Sequence, residues 1–344
     1  MSLTTTAFTA RKVIKNGSMG LVAFLILLIF FKAISGFVKN KRVEIEKPNV
    51  KYGILSKIVF PEKEFTAKNF SFEFPQDRPP VFSDKAKVYT VYRSNKSFLA
   101  LEIEKEMAKK MGFVKEPRQI SNNIYEFEND YNQKLKVNIL DGSFTLTYPY
   151  QNDQLMLSET KVPSEKDAID TLESFLETAE RWRDDFDIEA TKITLLKHKD
   201  SNLIEVSGIS EANFIRLDIA RQKIDDKFKI VSINPTQSVV SALISSSTTR
   251  ARSIVDLKYR YAEIQRESFA TYPIIKAETA IAKLKAGNYW PASDISADNV
   301  VIRRMSLAYF EPASLTNFMQ PIFVFEGDGG FVAYVEAIED EFTK

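Results

Sequence analysis

The spacing of apolar residues changes along this chain, and the changes divide it. From Ser18 to Val38 the residues are apolar on every side of a helix, interrupted only by Lys32. As a helix this 21-residue stretch is about 31 Å long, which matches a hydrocarbon core of roughly 30 Å. Lys32 lies near the far end, where its long stem reaches the headgroups. The pattern predicts a transmembrane anchor formed by Leu21, Val22, Phe24, Leu25, Leu27, Phe30 and Phe31. A cleaved signal peptide is the competing reading, because Ala33-Ile34-Ser35 follows the apolar run as a small-x-small site. Lys32 against that site and the apolar stretch resuming beyond it disfavour cleavage. A buried soluble helix is disfavoured by the lack of any polar face.

Beyond the anchor, Lys39 to Val50 is charged and unpatterned, with Pro48, and reads as a tether. Aromatic and β-branched residues then alternate with polar ones at Phe70–Phe74 and Lys87–Tyr92, a half-buried strand pattern. Ser97 is placed to cap a helix in which Ala100, Ile103, Met107 and Met111 recur at three- and four-residue steps, stopped by Gly112. The clearest hairpin runs from Lys134 to Tyr150 around Asp141-Gly142. Ser164 and Asp167 resemble a capping box ahead of the stripe Ala168, Leu172, Phe175, Leu176 and Ala179. Short strands follow at Ile193–Leu196, Leu203–Val206, Ile215–Ile219 and Phe228–Ile233, and one long strand is predicted over Ile254–Ile264. A third helix spans Lys276–Ala286, and strands at Val300–Phe310 and Pro321–Ile338 close the chain around Gly327-Asp328-Gly329-Gly330.

These elements predict an α+β fold: an N-terminal transmembrane helix followed by two or three modules of antiparallel sheet, each covered by a helix. The expected boundaries are a cytoplasmic tail at 1–17, the span at 18–38, a tether at 39–60, and modules at 61–155, 156–250 and 251–344.

Composition adds exclusions. At 44% hydrophobic and 27% charged residues, the chain is neither disordered nor polytopic. It has no Cys and a single His, His198, so a disulfide framework, a Cys-based metal site, a Cys nucleophile and a two-histidine dyad are all excluded. Charge is asymmetric: residues 1–42 carry +7 and no acid, leaving −6 on the remainder. A basic head with an acidic body predicts a lipid bilayer as partner and argues against nucleic acid. Basic residues flank the span almost equally; Glu44 and Glu46 favour the large domain lying outside the cell.

No constellation carries a specific chemistry. His198 sits on a predicted strand among lysines with no second histidine for a metal pair. Asp184, Asp185 and Asp187 lack the glycine of an EF-hand loop and read as a solvated helix exit. Ser158-Glu159-Thr160-Lys161 matches Ser-x-x-Lys, without the partner motifs of penicillin-binding enzymes. No phosphate-binding or dinucleotide fingerprint is present, so no cofactor, metal or catalytic residue is assigned. Aromatic richness, 26 Phe and 13 Tyr, reads first as core. The functional alternative is a partner surface made by Tyr309, Phe310, Phe323 and Phe325.

Lys47 to Pro61 just after a single span, and the closing runs Arg303–Pro312 and Gln320–Gly327, resemble uncharacterised single-pass membrane proteins of candidate-phylum bacteria. That group brings no catalytic residues to carry over. The final helix and hairpins, Tyr272 to Ile338, are similar to PepSY-type modules and to membrane-anchored regulators of Gram-positive sensor kinases. This second resemblance implies regulation by binding. The expected function is therefore a membrane-anchored, extracytoplasmic binding or regulatory protein without turnover, acting on an envelope protein or cell-wall partner. The alternatives are a tethered carboxylate-dependent hydrolase and a structural subunit of a secretion or pilus assembly.

Overall fold

The computed structural model describes residues 27–30, 32, 47–63, 69–92, 99–158, 161–235, 237–295, 297–312 and 316–344. Strands β1 (Asn69–Phe72) and β2 (Lys85–Val91) come first, followed by helix α1 (Ala100–Lys110). A meander follows: β3 (Arg118–Ser121), β4 (Ile124–Glu128), β5 (Lys134–Asn138) and β6 (Phe144–Thr147). The short helix α2 (Gln154–Ser158) and the longer α3 (Glu165–Thr178) precede β7 (Phe186–Lys199), β8 (Asn202–Glu205), β9 (Phe214–Arg221), β10 (Ile230–Ser232) and β11 (Val240–Ser245). After a helical turn, α4 (Arg250–Ser253), come β12 (Ile254–Tyr259) and β13 (Ile264–Pro273). Helix α5 (Ala277–Lys285) leads to β14 (Trp290–Pro291), β15 (Asn299–Glu311), β16 (Phe318–Gly327) and β17 (Val332–Glu336).

Local chemistry explains several of these elements. Ser164 Oγ accepts the Asp167 amide at 3.1 Å and fixes the start of α3, as the capping pattern predicts. Gly112 and Gly287, at φ +95° and +81°, terminate α1 and α5 in a conformation that disfavours a Cβ. The hairpin forms with Leu135 opposite Leu146 and Val137 opposite Phe144, and Gly142 takes φ +67° in its turn.

Among the described residues the strands form two sheets, not three successive modules. One has nine strands in the order β3-β4-β5-β6-β12-β11-β9-β7-β8. Helices α1 and α3 cover one face of it: Met107, Ala108, Leu172, Phe175 and Leu176 are buried in one cluster with Leu135, Leu146, Leu217 and Leu257. The other sheet has eight strands, centred on β15 and β16. Residues of α5 pack on one of its faces with Tyr272, Ile302, Phe323 and Phe325. Its other face buries Phe310, Ile322 and Tyr334 beneath Ile58 and Phe60. The α+β class is thus observed, with two parallel pairings, β1 with β15 and β10 with β15, inside a largely antiparallel design.

Three expectations change. The predicted strand Ile254–Ile264 divides at 260–263, and its halves β12 and β13 join different sheets. The first and last thirds of the body are one construction, since β2 pairs with β13 and β16. The later part of the predicted tether is docked: Leu55 is fully buried, Lys57 N donates to Lys344 O at 3.1 Å, and Phe60 stacks on Trp290 at 5.2 Å. Apolar side chains at Leu55, Ile58 and Phe60 supply the burial that a free linker lacks.

Candidate functional site

Strands β6 and β12 place Thr147 opposite Asp256 and Leu146 opposite Leu257. Leu146 and Leu257 enter the core under α1 and α3, so Thr147 and Asp256, one residue out of phase, project from the opposite face. There a cleft of about 610 Å³ opens, its lining including Glu128, Asn132, Lys134, Tyr148, Tyr150, Asn152 and Asp256. Its size lies within the range of small-ligand sites. Burial pushes the Asp256 carboxyl above its ordinary value, while Lys258 and Arg216 pull it back.

Both walls of the cleft are pinned by hydrogen bonds behind them. In one, Tyr148 Oη donates to Asp153 Oδ2 at 2.8 Å, the Arg252 guanidinium pairs with the same oxygen, and the Met156 amide donates to Asp153 Oδ1 at 3.1 Å. Burial favours the protonated acid, but these donors outweigh it and hold Asp153 below the usual carboxylate range. In the other wall, Asn129 Oδ1 accepts the amides of Tyr131 and Gln133 at 3.0 and 3.1 Å. Gln133 Nε2 then donates to Ile254 O at 3.1 Å. Both walls are therefore tied to residues 252–254, at the start of β12.

A second polar constellation sits where the two sheets meet. Arg221 at the end of β9 bonds Glu311 at the end of β15 at 2.7 Å and Asp185 at 2.6 Å. Tyr261 Oη donates to Asp185 Oδ1 at 2.9 Å, and the Ala262 amide donates to Glu311 Oε1 at 3.0 Å. Burial alone would depress Arg221, but Glu311 and Asp185 outweigh it and keep the guanidinium charged. Burial raises the Glu311 carboxyl, against the pull of Arg221. Every hydrogen-bonding group here has a protein partner, which is the arrangement of a structural clamp. Asp185 is therefore not part of a solvated helix exit; it is one jaw of this clamp.

The other sequence-derived residues fall as follows. Tyr309, Phe310, Phe323 and Phe325 are buried, so they are core and not a partner surface. The reason is topological: β15 and β16 lie mid-sheet with both faces covered, so either side of the alternation is interior. Of the predicted anchor residues, Leu21, Val22, Phe24, Leu25 and Phe31 lie outside the described residues, as do Ser97 and the segment 1–17. Leu27 and Phe30 are on a helical stretch and are 66% and 67% exposed. No helix among the described residues is long and apolar enough to cross a membrane. His198 is half-buried on β7, its amide bonded to Asn213 Oδ1 at 2.9 Å and its ring edge-on to Tyr150. No group of three or more His, Asp or Glu among the described residues is placed to hold a metal. Glu326 and Asp328 pair with Arg304 and Arg303 at 2.8 and 2.7 Å. Asp256 escaped sequence reasoning because it reads as one polar member of an alternating strand; its cleft forms only where β5, β6 and β12 and the turns beside them come together.

No protein-family model matches the chain, and no curated protein matches it. Among solved structures, an uncharacterized protein from Eubacterium rectale ATCC 33656 is similar at 13% identity and TM-score 0.42, covering 78% of this chain and 87% of that one. The Bacillus megaterium YpeB C-terminal domain is similar at 13% identity and TM-score 0.29, covering 72% and 95%. With these scores the PepSY-like resemblance remains an expectation from sequence.

Proposed function

We propose that this is a membrane-anchored, extracytoplasmic binding or regulatory protein that engages a cell-wall or envelope-protein partner without turnover. The observation that carries the reading is the cleft beside Asp256, whose two walls are immobilised by the Asp153 and Gln133 hydrogen bonds before any partner arrives. Pre-ordered walls reduce the entropy lost on association. In this reading the apolar segment 18–38 holds the cleft at the membrane surface and raises its effective concentration for neighbours there. Helix α5 and strands β14–β17 form the segment that the PepSY-like resemblance covers, and they serve as the rigid base.

The test is cosedimentation of the full chain, held in nanodiscs, with purified cell walls. Retention that falls in Tyr150→Ala supports the proposal; absence of retention, together with absence of capture of any membrane-protein neighbour by crosslinking in cells, removes it. Protease treatment of intact cells tests the orientation: digestion of the body before lysis agrees with an outside location, and protection until lysis reverses it.

One observation favours a second reading, a tethered hydrolase. Asp256 is a carboxyl with a raised pKa in a cleft that also holds Glu128, which suits general acid catalysis. Release of soluble sugar or peptide from cell walls, abolished in Asp256→Asn, would establish turnover; walls recovered intact would leave binding alone.

A further inference from the structure

We infer that the Asp256 cleft is a saccharide site, which deepens the proposed binding function and rests on it. Three features of the cleft select the ligand. First, its surface combines the side chains of Tyr148 and Tyr150 with amides and carboxylates. A pyranose presents an apolar C–H face and a rim of hydroxyls, so it needs ring surface and hydrogen-bonding groups side by side. Second, among the described residues no hydrogen bond reaches the Asp256 carboxylate, nor the side-chain amides of Asn132 and Asn152. These acceptors and donors converge on one cleft while the neighbouring Asp153 and Gln133 are fully engaged in holding its walls. A ligand hydroxyl donating to a partly desolvated carboxylate makes a charge-assisted bond, stronger than one between neutral groups.

Third, the alternatives fit less well. An extended peptide that adds to a sheet needs an open strand edge. Strands β5, β6 and β12 bordering the cleft are each paired on both sides, so none offers one. An anionic polymer would meet the carboxylates of Glu128 and Asp256 in the lining itself, which repel it. A cationic amine is the remaining competitor, since tyrosine rings and carboxylates also suit a positive charge. Lys134 in the same lining, with Lys258 and Arg216 acting on Asp256, opposes it.

The decisive experiment titrates the full chain in nanodiscs with chitotetraose by calorimetry. Saturable binding is expected, weakened at least ten-fold by Tyr150→Ala and by Asp256→Asn, and several-fold by Asn152→Ala. Asn152 lies on an exposed turn, so its loss does not threaten folding, and thermal melts check all three variants. No saturable heat, or affinity unchanged in all three variants, overturns the inference. Saturation by tetramethylammonium with no response to chitotetraose overturns it in favour of a cation site. Retention on cell walls without saccharide binding removes this inference and leaves the binding function standing; loss of both removes both.

Discussion

Arg221 and Glu311 meet at 2.7 Å with side chains only 3% and 2% exposed, and they join the end of a strand in one sheet to the end of a strand in the other. Removing Arg221 leaves the buried Glu311 without its cation, whereas removing Glu311 leaves Arg221 paired with Asp185 alone. Arg221→Ala is expected to lower stability by about 3–5 kcal/mol in urea unfolding, and Glu311→Ala by less because Asp185 remains. Replacing both with Met and Leu should cost less than the sum of the two single changes, because the Arg221–Glu311 contact is then lost only once. Strictly additive single effects would show that the two groups are not coupled.

Phe323 tests the reassignment of the closing aromatics from surface to core. It is fully buried, packed with Tyr272, Ile302 and Phe325. Phe323→Ala should cost about 3–5 kcal/mol of stability through the cavity it leaves. A variant that melts like the parent yet loses partner binding would restore the surface reading.

Asp256 should behave in opposite ways in stability and binding. Its carboxyl is raised in the folded chain above the ordinary 3.8, mainly by burial. The sign follows from proton uptake: the folded state holds the proton more tightly, so the group's favourable contribution is full below 3.8 and is lost as pH rises through the raised value. Asp256→Asn removes that loss, and should raise the melting midpoint near neutral pH while flattening its pH dependence. The same variant should bind partner less well, the usual trade between function and stability. A lower melting point at neutral pH would contradict the placement of this carboxyl.

Gly327 is confined by space, not by its backbone angle. A Cβ there would lie 2.8 Å from Val300 Cγ1 and 2.9 Å from the Val301 carbonyl oxygen. Gly327→Ala should therefore destabilise by about 1–3 kcal/mol. Gly329, two residues on, has open space around it but takes φ +67°. Gly329→Ala should cost about 1 kcal/mol, the penalty of a left-handed conformation. Equal losses in the two variants, measured by chemical unfolding, would mean that the contact with Val301 relaxes freely.

How far these features were legible in sequence depends on what each residue faces. Leu135, Val137 and Leu146 alternate against polar neighbours because one face of their hairpin is wet, and the hairpin was readable for that reason. Strand β11 carries no alternation at all, since every residue from Val240 to Ser245 is buried, and it went unseen between the Phe228–Ile233 and Ile254 runs. The predicted strand over Ile254–Ile264 kept its alternation through Tyr261, although Arg260–Glu263 is the crossing between sheets. Periodicity does not report which sheet a strand joins. The candidate cleft was the least legible feature, because Asn132, Tyr150 and Asp256 acquire a common surface only once β5, β6 and β12 are side by side.

The pairing of β1 with β15 sets Asn69 beside Asn299, a separation of 230 residues. The nine-stranded sheet draws its strands from 118–259, and that stretch lends only β10 to the other. A growing chain can thus assemble the nine-stranded sheet early, whereas β1 and β2 emerge first and have no lasting partners until β13, β15 and β16 have been made. Through that interval the aromatic strands at 69–72 and 85–91 are exposed as unpaired edges. The vulnerable period of this protein is its synthesis, and the strands made first are the ones that pair last.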